Sequence, residues 1–300
     1  MQKKLNRLED LFLLATKRKK ARVSVAAAQD GHVLEAAAAA FGKGIADFVL
    51  FGDSEKIRKE ASGAGVDISP FTVVHEPDDV EACRKAVLSV AKGEADALMK
   101  GLVDTSVIMK AVLSKEDGIR TGNMLSHVAV FECKSYHKLL FVTDAAINIA
   151  PDLDGKISII QNALDAVKNL GIEKPKIALL AAKEKADPKM PVTVEIESIV
   201  EKHGNGLFPD ALVGGPFALD NAVSKESAKI KGIDSPIAGD ADILVAPNIE
   251  SANILYKSLA FLGEAKNGGV VVGAKRPVIL TSRADSAESK LISIALGVLF

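Results

Sequence analysis

The sequence predicts an α/β fold in which a mostly parallel sheet is covered by helices on both faces. Three observations lead there. Short aliphatic runs alternate with longer amphipathic ones along nearly the whole chain, which implies right-handed crossovers between parallel strands. The apolar 48% of the residues is mostly Ala, Val, Ile and Leu, with aromatics at only 4% and no Trp, as small helices packed on buried strands require. The length of 300 residues, at ~150 residues per domain, suggests two domains.

The elements follow in order. Leu5, Leu8, Leu11 and Phe12 recur at helical spacing, so residues 2–18 read as a helix. Residues 22–28 read as a buried strand, 33–41 as an Ala-rich helix, and 47–51 as a strand closed by Gly52-Asp53-Ser54. A strand at 71–74, a helix carrying the stripe Val80, Cys83, Val87 and Val90, and a strand at 96–99 come next. Residues 127–131 and 138–142 are two strand-like runs too close together for an intervening helix, and predict a hairpin. Ile157, Ile160, Leu164 and Val167 mark another helix, ended by Gly171. Strands at 177–181, 211–213 and 242–245 alternate with helices near 190–203, 219–231 and 250–263. Strands at 270–272 and 278–281 and a helix over 285–299 close the chain.

Composition narrows the function. Lys and Arg total 38 against 39 for Asp and Glu, a net charge of −1, so no global attraction to nucleic acid or to a membrane surface is built in. With few aromatics, stacking platforms for single strands are not expected. Two cysteines, Cys83 and Cys133, make neither a disulfide scaffold nor a four-thiolate zinc site. The N-terminus shows no apolar signal core. No run reaches the ~18 apolar residues of a membrane span, so a cytoplasmic protein is expected.

In such folds ligands sit at the carboxyl ends of strands, so polar residues just past strands are the candidates. The richest segment is Val278–Ser286. A strand delivers Ser282 and Arg283, and a helix is predicted to start immediately after. A hydroxyl, a bidentate guanidinium and a helix N-terminus suit a phosphate-like anion. Lys100-Gly101 repeats the theme, with Asp104, Thr105 and Ser106 opening a helix. Ser126-His127 begins a strand, and Asp144 and Asn148 follow another. Later strands are expected to end in Gly214-Gly215-Pro216 and Ala246-Pro247-Asn248. Each cluster taken singly also reads as ordinary turns and caps. A Walker loop, a complete dinucleotide fingerprint and a nucleophile elbow are missing.

As a set, these segments resemble the phosphate acetyl/butyryl transferase family, and most closely its butyryltransferase branch. The similar stretches are Met99-Lys100-Gly101, Ser126–Glu132, Thr143–Leu153, Pro188-Lys189-Met190 and Gly215–Asp220. They continue through Lys231-Gly232-Ile233, Ala238–Pro247, Asn253–Lys257 and Thr281-Ser282-Arg283. The resemblance implies two α/β/α domains with a cleft between them, similar to the isocitrate and isopropylmalate dehydrogenase fold. The first would be 1–126 plus 275–300, and the second 127–274, with the dimer interface. It implies transfer of an acyl group between coenzyme A and phosphate, with coenzyme A as substrate, no permanently bound cofactor and no catalytic metal. The implied partners are acyl-CoA, phosphate, acyl phosphate and a second copy of the chain.

The resemblance makes Ser282 and Arg283 the catalytic candidates, and the polar positions past the strands, read with it, add Asp144 and Asp285. The substrate-binding candidates are Lys100, Thr105, Ser126, His127, Asn148, Gly215, Pro216 and Asn248. In acetyltransferase relatives an aspartate seven residues beyond the Ser is assigned as the base for the thiol. Here that position is Ser289, so Asp285, Glu288 and Asp144 are the substitutes. Glu250-Ser251-Ala252-Asn253 also departs from the family's Gly before Asn. Three alternatives stay open: a phosphate acetyltransferase, a non-catalytic binding homologue, and a metal- and nicotinamide-dependent hydroxyacid dehydrogenase. For the last, the spacings Asp240–Asp242 and Asp152–Asp154 are two rather than three or four.

Overall fold

The computed structural model describes residues 5–300. They form two compact units: an outer unit of 8–123 with 267–300, and a central unit of 5–7 with 124–266. The first segment of the outer unit runs α1 (Leu8–Thr16), β1 (Ala21–Ala26), α2 (Gly31–Gly42), β2 (Ala46–Gly52) and α3 (Ser54–Gly63). It continues with β3 (Thr72–His75), α4 (Asp79–Ala91), β4 (Ala97–Lys100) and α5 (Thr105–Val112). The helix expected over 2–18 is α1, and residues 1–4 lie outside the described residues. The helix α3 escaped the sequence reading because only Ile57 and Ala61 are buried on it. Its signal is a cap instead: the Asp53 carboxylate accepts from the N–H groups of Glu55 and Lys56.

The central unit runs β5 (Ser126–Glu132), β6 (Leu140–Thr143), α6 (Leu153–Asn169), β7 (Lys176–Leu180) and α7 (Pro191–Gly204). Then come β8 (Leu212–Phe217), α8 (Leu219–Val223), α9 (Lys225–Ile230), β9 (Ile243–Val245) and α10 (Ile249–Lys257), which continues as a π-helical turn over Ser258–Leu262. The helix expected over 219–231 is two helices, because Ser224 turns extended and caps the second through Ser227. The strand order is β5-β6-β9-β7-β8, with β5 antiparallel to β6 and the other pairs parallel. The expected hairpin is the β5–β6 pair. Phe131, Leu140, Val142, Ala178, Leu244 and Phe217 form its core on one face. Gly214-Gly215-Pro216 does not follow β8 as expected but lies inside it, where the register against β7 shifts.

The chain returns through β10 (Lys266–Val272), β11 (Val278–Ile279) and α11 (Ala287–Gly297). The outer sheet has the order β3-β2-β1-β4-β11-β10; only β10 is antiparallel to its neighbour there. The last helix begins at Ala287 and not at Asp285, because the Ser286 hydroxyl accepts from the Ser289 N–H and sets the N-cap there. Ser282 and Arg283 therefore sit on a loop between β11 and α11, ahead of the helix start. Among the described residues, no helix is long and apolar enough to cross a membrane.

Candidate active site

In the outer unit, β1, β4 and β11 are parallel neighbours, so their carboxyl ends open on one edge. From β1 the chain goes to β2 on one side and β4 on the other, which makes this edge a topological switch point. Lys100 is the last residue of β4 and pairs with Ala26 of β1. Gly101 follows because nothing larger fits: a Cβ there would stand 2.1 Å from the Ala27 carbonyl oxygen.

Lys100 is 4% exposed, and its Nζ donates to the carbonyls of Gly101 at 3.2 Å and Val103 at 3.1 Å. Burial, then Arg283 and then Lys290, lower its pKa from the ordinary lysine value. The loop after β11 carries Ser282 and Arg283, both exposed. The loop is held from within: the Ser282 N–H donates to the Asp285 carboxylate at 2.7 Å, and the Ala284 N–H to the Ser282 hydroxyl at 3.3 Å. Arg283 Nη2 donates to Asp104 Oδ1 at 2.6 Å, with the two side chains 59% and 73% exposed. Asp104 stands at the N-cap of α5 without capping it through its side chain. Thr105, the first residue of α5, is exposed.

Lys290 is the residue the sequence reading missed. It is 1% exposed, and its Nζ donates to the carbonyls of Ser282 at 3.0 Å and Asp285 at 2.9 Å. The available signal was a lysine on the buried face of α11, with Ser293, Ile294 and Gly297 following at helical spacing.

The central unit has its own strand-end cluster. Because β5 is antiparallel to β6, the start of β5 lies beside the end of β6, with Val128 opposite Thr143. Ser126, His127 and Asp144 are buried there. Asp144 is 3% exposed and its carboxylate is fully engaged. One oxygen accepts from the N–H groups of Ala146 and Ile147, the other from the N–H and side-chain amide of Asn148. Asn148 also donates to the Leu125 carbonyl at 2.7 Å, and Asn162 to the Ser126 hydroxyl at 3.0 Å. Asn248 caps α10 through Ser251, and Asn253 donates to the Ala145 carbonyl at 3.0 Å. The rings of His127 and Tyr256 meet edge to face at 6.0 Å.

Gly215 and Pro216 stand apart from this cluster. Pro216 is buried within β8, and a Cβ on Gly215 would stand 2.8 Å from the Leu179 carbonyl oxygen. Their geometry serves close packing of the bulged strand. Glu288 is exposed in the first turn of α11. The Ser289 N–H donates to the Ser286 cap at 3.2 Å, its hydroxyl lies 3.3 Å from the Ser286 hydroxyl, and a hydroxyl at this position supplies no carboxylate base. The acidic pairs considered for a metal are otherwise occupied. Asp240 and Asp242 bind Lys138 and Lys176, and Asp152 caps α6. Among the described residues, no three His, Cys, Asp or Glu side chains converge as a metal ion would require.

Residues 8–84 and 75–298 match the family profile described as "Phosphate acetyl/butaryl transferase". The chain is 46% identical over 278 residues to the phosphate butyryltransferase of Clostridium acetobutylicum, covering 93% of this chain and 92% of that one. It is similar to the crystal structure of a branched-chain phosphotransacylase from Enterococcus faecalis, with a TM-score of 0.83, 37% identity, and coverage of 93% and 98%. A 4-hydroxythreonine-4-phosphate dehydrogenase from Klebsiella pneumoniae shares the fold, with a TM-score of 0.57 and 14% identity over 94% of this chain and 100% of that one. A match of this extent, over strand ends that carry Lys100, Asp144, Ser282 and Arg283, shows that the chain belongs to the phosphate acetyl/butyryl transferase family.

Proposed function

We propose that the chain moves a short acyl group, butyryl or similar, between coenzyme A and inorganic phosphate: acyl-CoA plus phosphate gives acyl phosphate plus coenzyme A. In a member of this family, the observation that carries the reading is the Ser282-Arg283 loop on the same strand-end edge as buried Lys100. A phosphate or phosphoryl group there meets a guanidinium fork, an ammonium and a hydroxyl, a donor set complementary to its oxygens.

The transfer is direct. A phosphate oxygen attacks the thioester carbonyl carbon; the C–O bond forms, the C–S bond breaks, and the thiolate leaves with the electron pair and takes a proton. In reverse, the thiol gives its proton to a phosphoryl oxygen of the acyl phosphate or to a carboxylate such as Asp285; the thiolate attacks the carbonyl carbon, the C–S bond forms, the C–O bond breaks and phosphate leaves. Arg283 and Ser282 act mainly on charge that develops on the carbonyl oxygen and the phosphoryl group, so they lower the barrier more than they tighten ground-state binding. Asp144, its carboxylate saturated by four donors, positions the turn after β6 and is not the proton acceptor. Ser126, His127 and Thr105 are proposed as contacts for the acyl-CoA, while Asn148 and Asn248 are left out because their side chains hold the turn after β6 and the cap of α10. Gly215 and Pro216 are left out because they pack inside β8.

Cytoplasmic location follows from the substrates, and a homodimer is supported by the exposed apolar residues Ile254, Phe261 and Leu262 of the central unit. The test is a thiol-release assay with acetyl-, butyryl- and isobutyryl-CoA. Thiol should appear only when phosphate is added, fastest with a four-carbon acyl group. Absence of phosphate-dependent thiol with every acyl group would overturn the reading, and hydride transfer to a nicotinamide would replace it.

A further inference from the structure

Two lysines lie buried beside the Ser282-Arg283 loop without a directly paired carboxylate, although Asp30 acts on both at longer range. Lys290 is 1% and Lys100 4% exposed, and carbonyl oxygens alone hold both ammonium groups. Among the described residues, neither makes an ion pair. Removing a charge from water without an opposite charge is expensive. Lys290 adds a second cost, since it sits in the first turn of α11, where the helix dipole disfavours a cation. An apolar side chain of the same length would fill the space with neither cost. A lysine kept under both needs a compensating role, and its two contacts name one. Its Nζ ties the carbonyl before Arg283 to the carbonyl three residues on, closing the Ser282–Asp285 loop from below.

We propose that Lys290 is a positioning residue for the phosphate site: it fixes the loop that aims Ser282 and Arg283, and with Lys100 it supplies buried positive charge whose counter-ion is the bound phosphate. The inference rests on the reading of the function above. It accounts for a pair of buried lysines that hold only carbonyl oxygens beside the exposed Arg283–Asp104 contact. Burial also pushes the Lys290 pKa down, against Asp30 and Asp285, which raise it. A dianion arriving above would favour the charged form.

The experiment compares the full-length wild type with K290M and K290R. It reads kcat, KM for phosphate, KM for butyryl-CoA, and the melting temperature with and without phosphate. The net loss of one charge-assisted hydrogen bond's worth of binding corresponds to about 10- to 100-fold. K290M should raise KM for phosphate by that factor, leave KM for butyryl-CoA within about threefold, and abolish the melting shift that phosphate gives the wild type. K290R, which keeps the charge but not a single-point donor, should lie between the two. A purely structural lysine would lower the melting temperature of K290M and leave KM for phosphate unchanged; that result overturns the proposal. If K290M does not fold, K290R decides: wild-type KM for phosphate in K290R overturns the proposal, and a loss of about threefold or more supports it. A wild type with no phosphate-dependent thiol release would instead fail the functional reading itself, whatever Lys290 does.

Discussion

The strand-end cluster of the outer unit and that of the central unit are built on the same edge logic but with opposite electrical character. The outer cluster concentrates cations: Lys100 and Lys290 are buried and held only by carbonyls, and Arg283 is exposed against Asp104. The central cluster is closed on itself. Asp144, Asn148, Asn162, Asn248 and Asn253 spend their polar atoms on backbone groups and on each other. One region stores charge for a ligand, and the other fixes the path of its own backbone. The difference separates groups that should appear in transition-state binding from groups that should appear in stability.

The largest expected effect lies in the charged cluster. Arg283→Ala should lower kcat/KM for phosphate-dependent thiol release by about 10²–10³ with the melting temperature unchanged, the usual loss for a transition-state donor. Arg283→Lys should not restore it, since an ammonium lacks the bidentate fork. If Arg283→Ala instead unfolds the chain and spares turnover per folded molecule, the two clusters have been assigned the wrong way round.

In the closed cluster, Asp144→Ala strips four donors of their acceptor. It should cost about 1–3 kcal/mol in denaturant unfolding for the buried groups left unsatisfied. Asn248→Ala should cost about 1 kcal/mol through the lost cap of α10, with little change in kcat.

The pH response sharpens the contrast. Burial, Arg283 and Lys290 hold the Lys100 pKa below that of an exposed lysine, while Asp30 and Asp104 pull it up. The binding charge is present below that lowered value and is lost as pH rises through it. KM for phosphate should therefore climb on the alkaline side before ordinary lysines titrate, and Lys100→Met should flatten that limb. Between the lowered value and 10.5, the unfolded chain binds more protons than the folded one, so this group makes stability rise with pH across the same window. The smallest expected effect is at Cys83, whose buried thiol is pushed up to about 11 by desolvation. Cys83→Ala should keep activity within about twofold, and the folded wild type should resist alkylation at neutral pH.

What the sequence revealed followed strong local signals. Alternating aliphatic runs placed β1, β2, β4, β5, β6 and β9, and the polar residues beyond them included Lys100, Asp144, Ser282 and Arg283. The charged α3 was missed because its helix signal lies in the Asp53 cap and not in an apolar stripe. Gly215 and Pro216 looked like a strand end because their composition is that of a turn, yet β8 bulges through them. Lys290 carried a helical-spacing signal as a lysine on the buried face of α11, but its two carbonyl partners, which give it its role, come together only in the fold. Asp144 was legible as a polar residue in the right place. Its saturation, which decides what it can do, depends on a turn geometry that only the folded chain shows.

Direct transfer on phosphate held by the outer cluster is tested most directly by initial velocities of thiol release, with phosphate and butyryl-CoA both varied. Both substrates must be bound before the acyl group moves, so double-reciprocal lines should intersect and no thiol should form without phosphate. Parallel lines, or a burst of thiol in the absence of phosphate, would mean an acyl-enzyme and would contradict the direct mechanism.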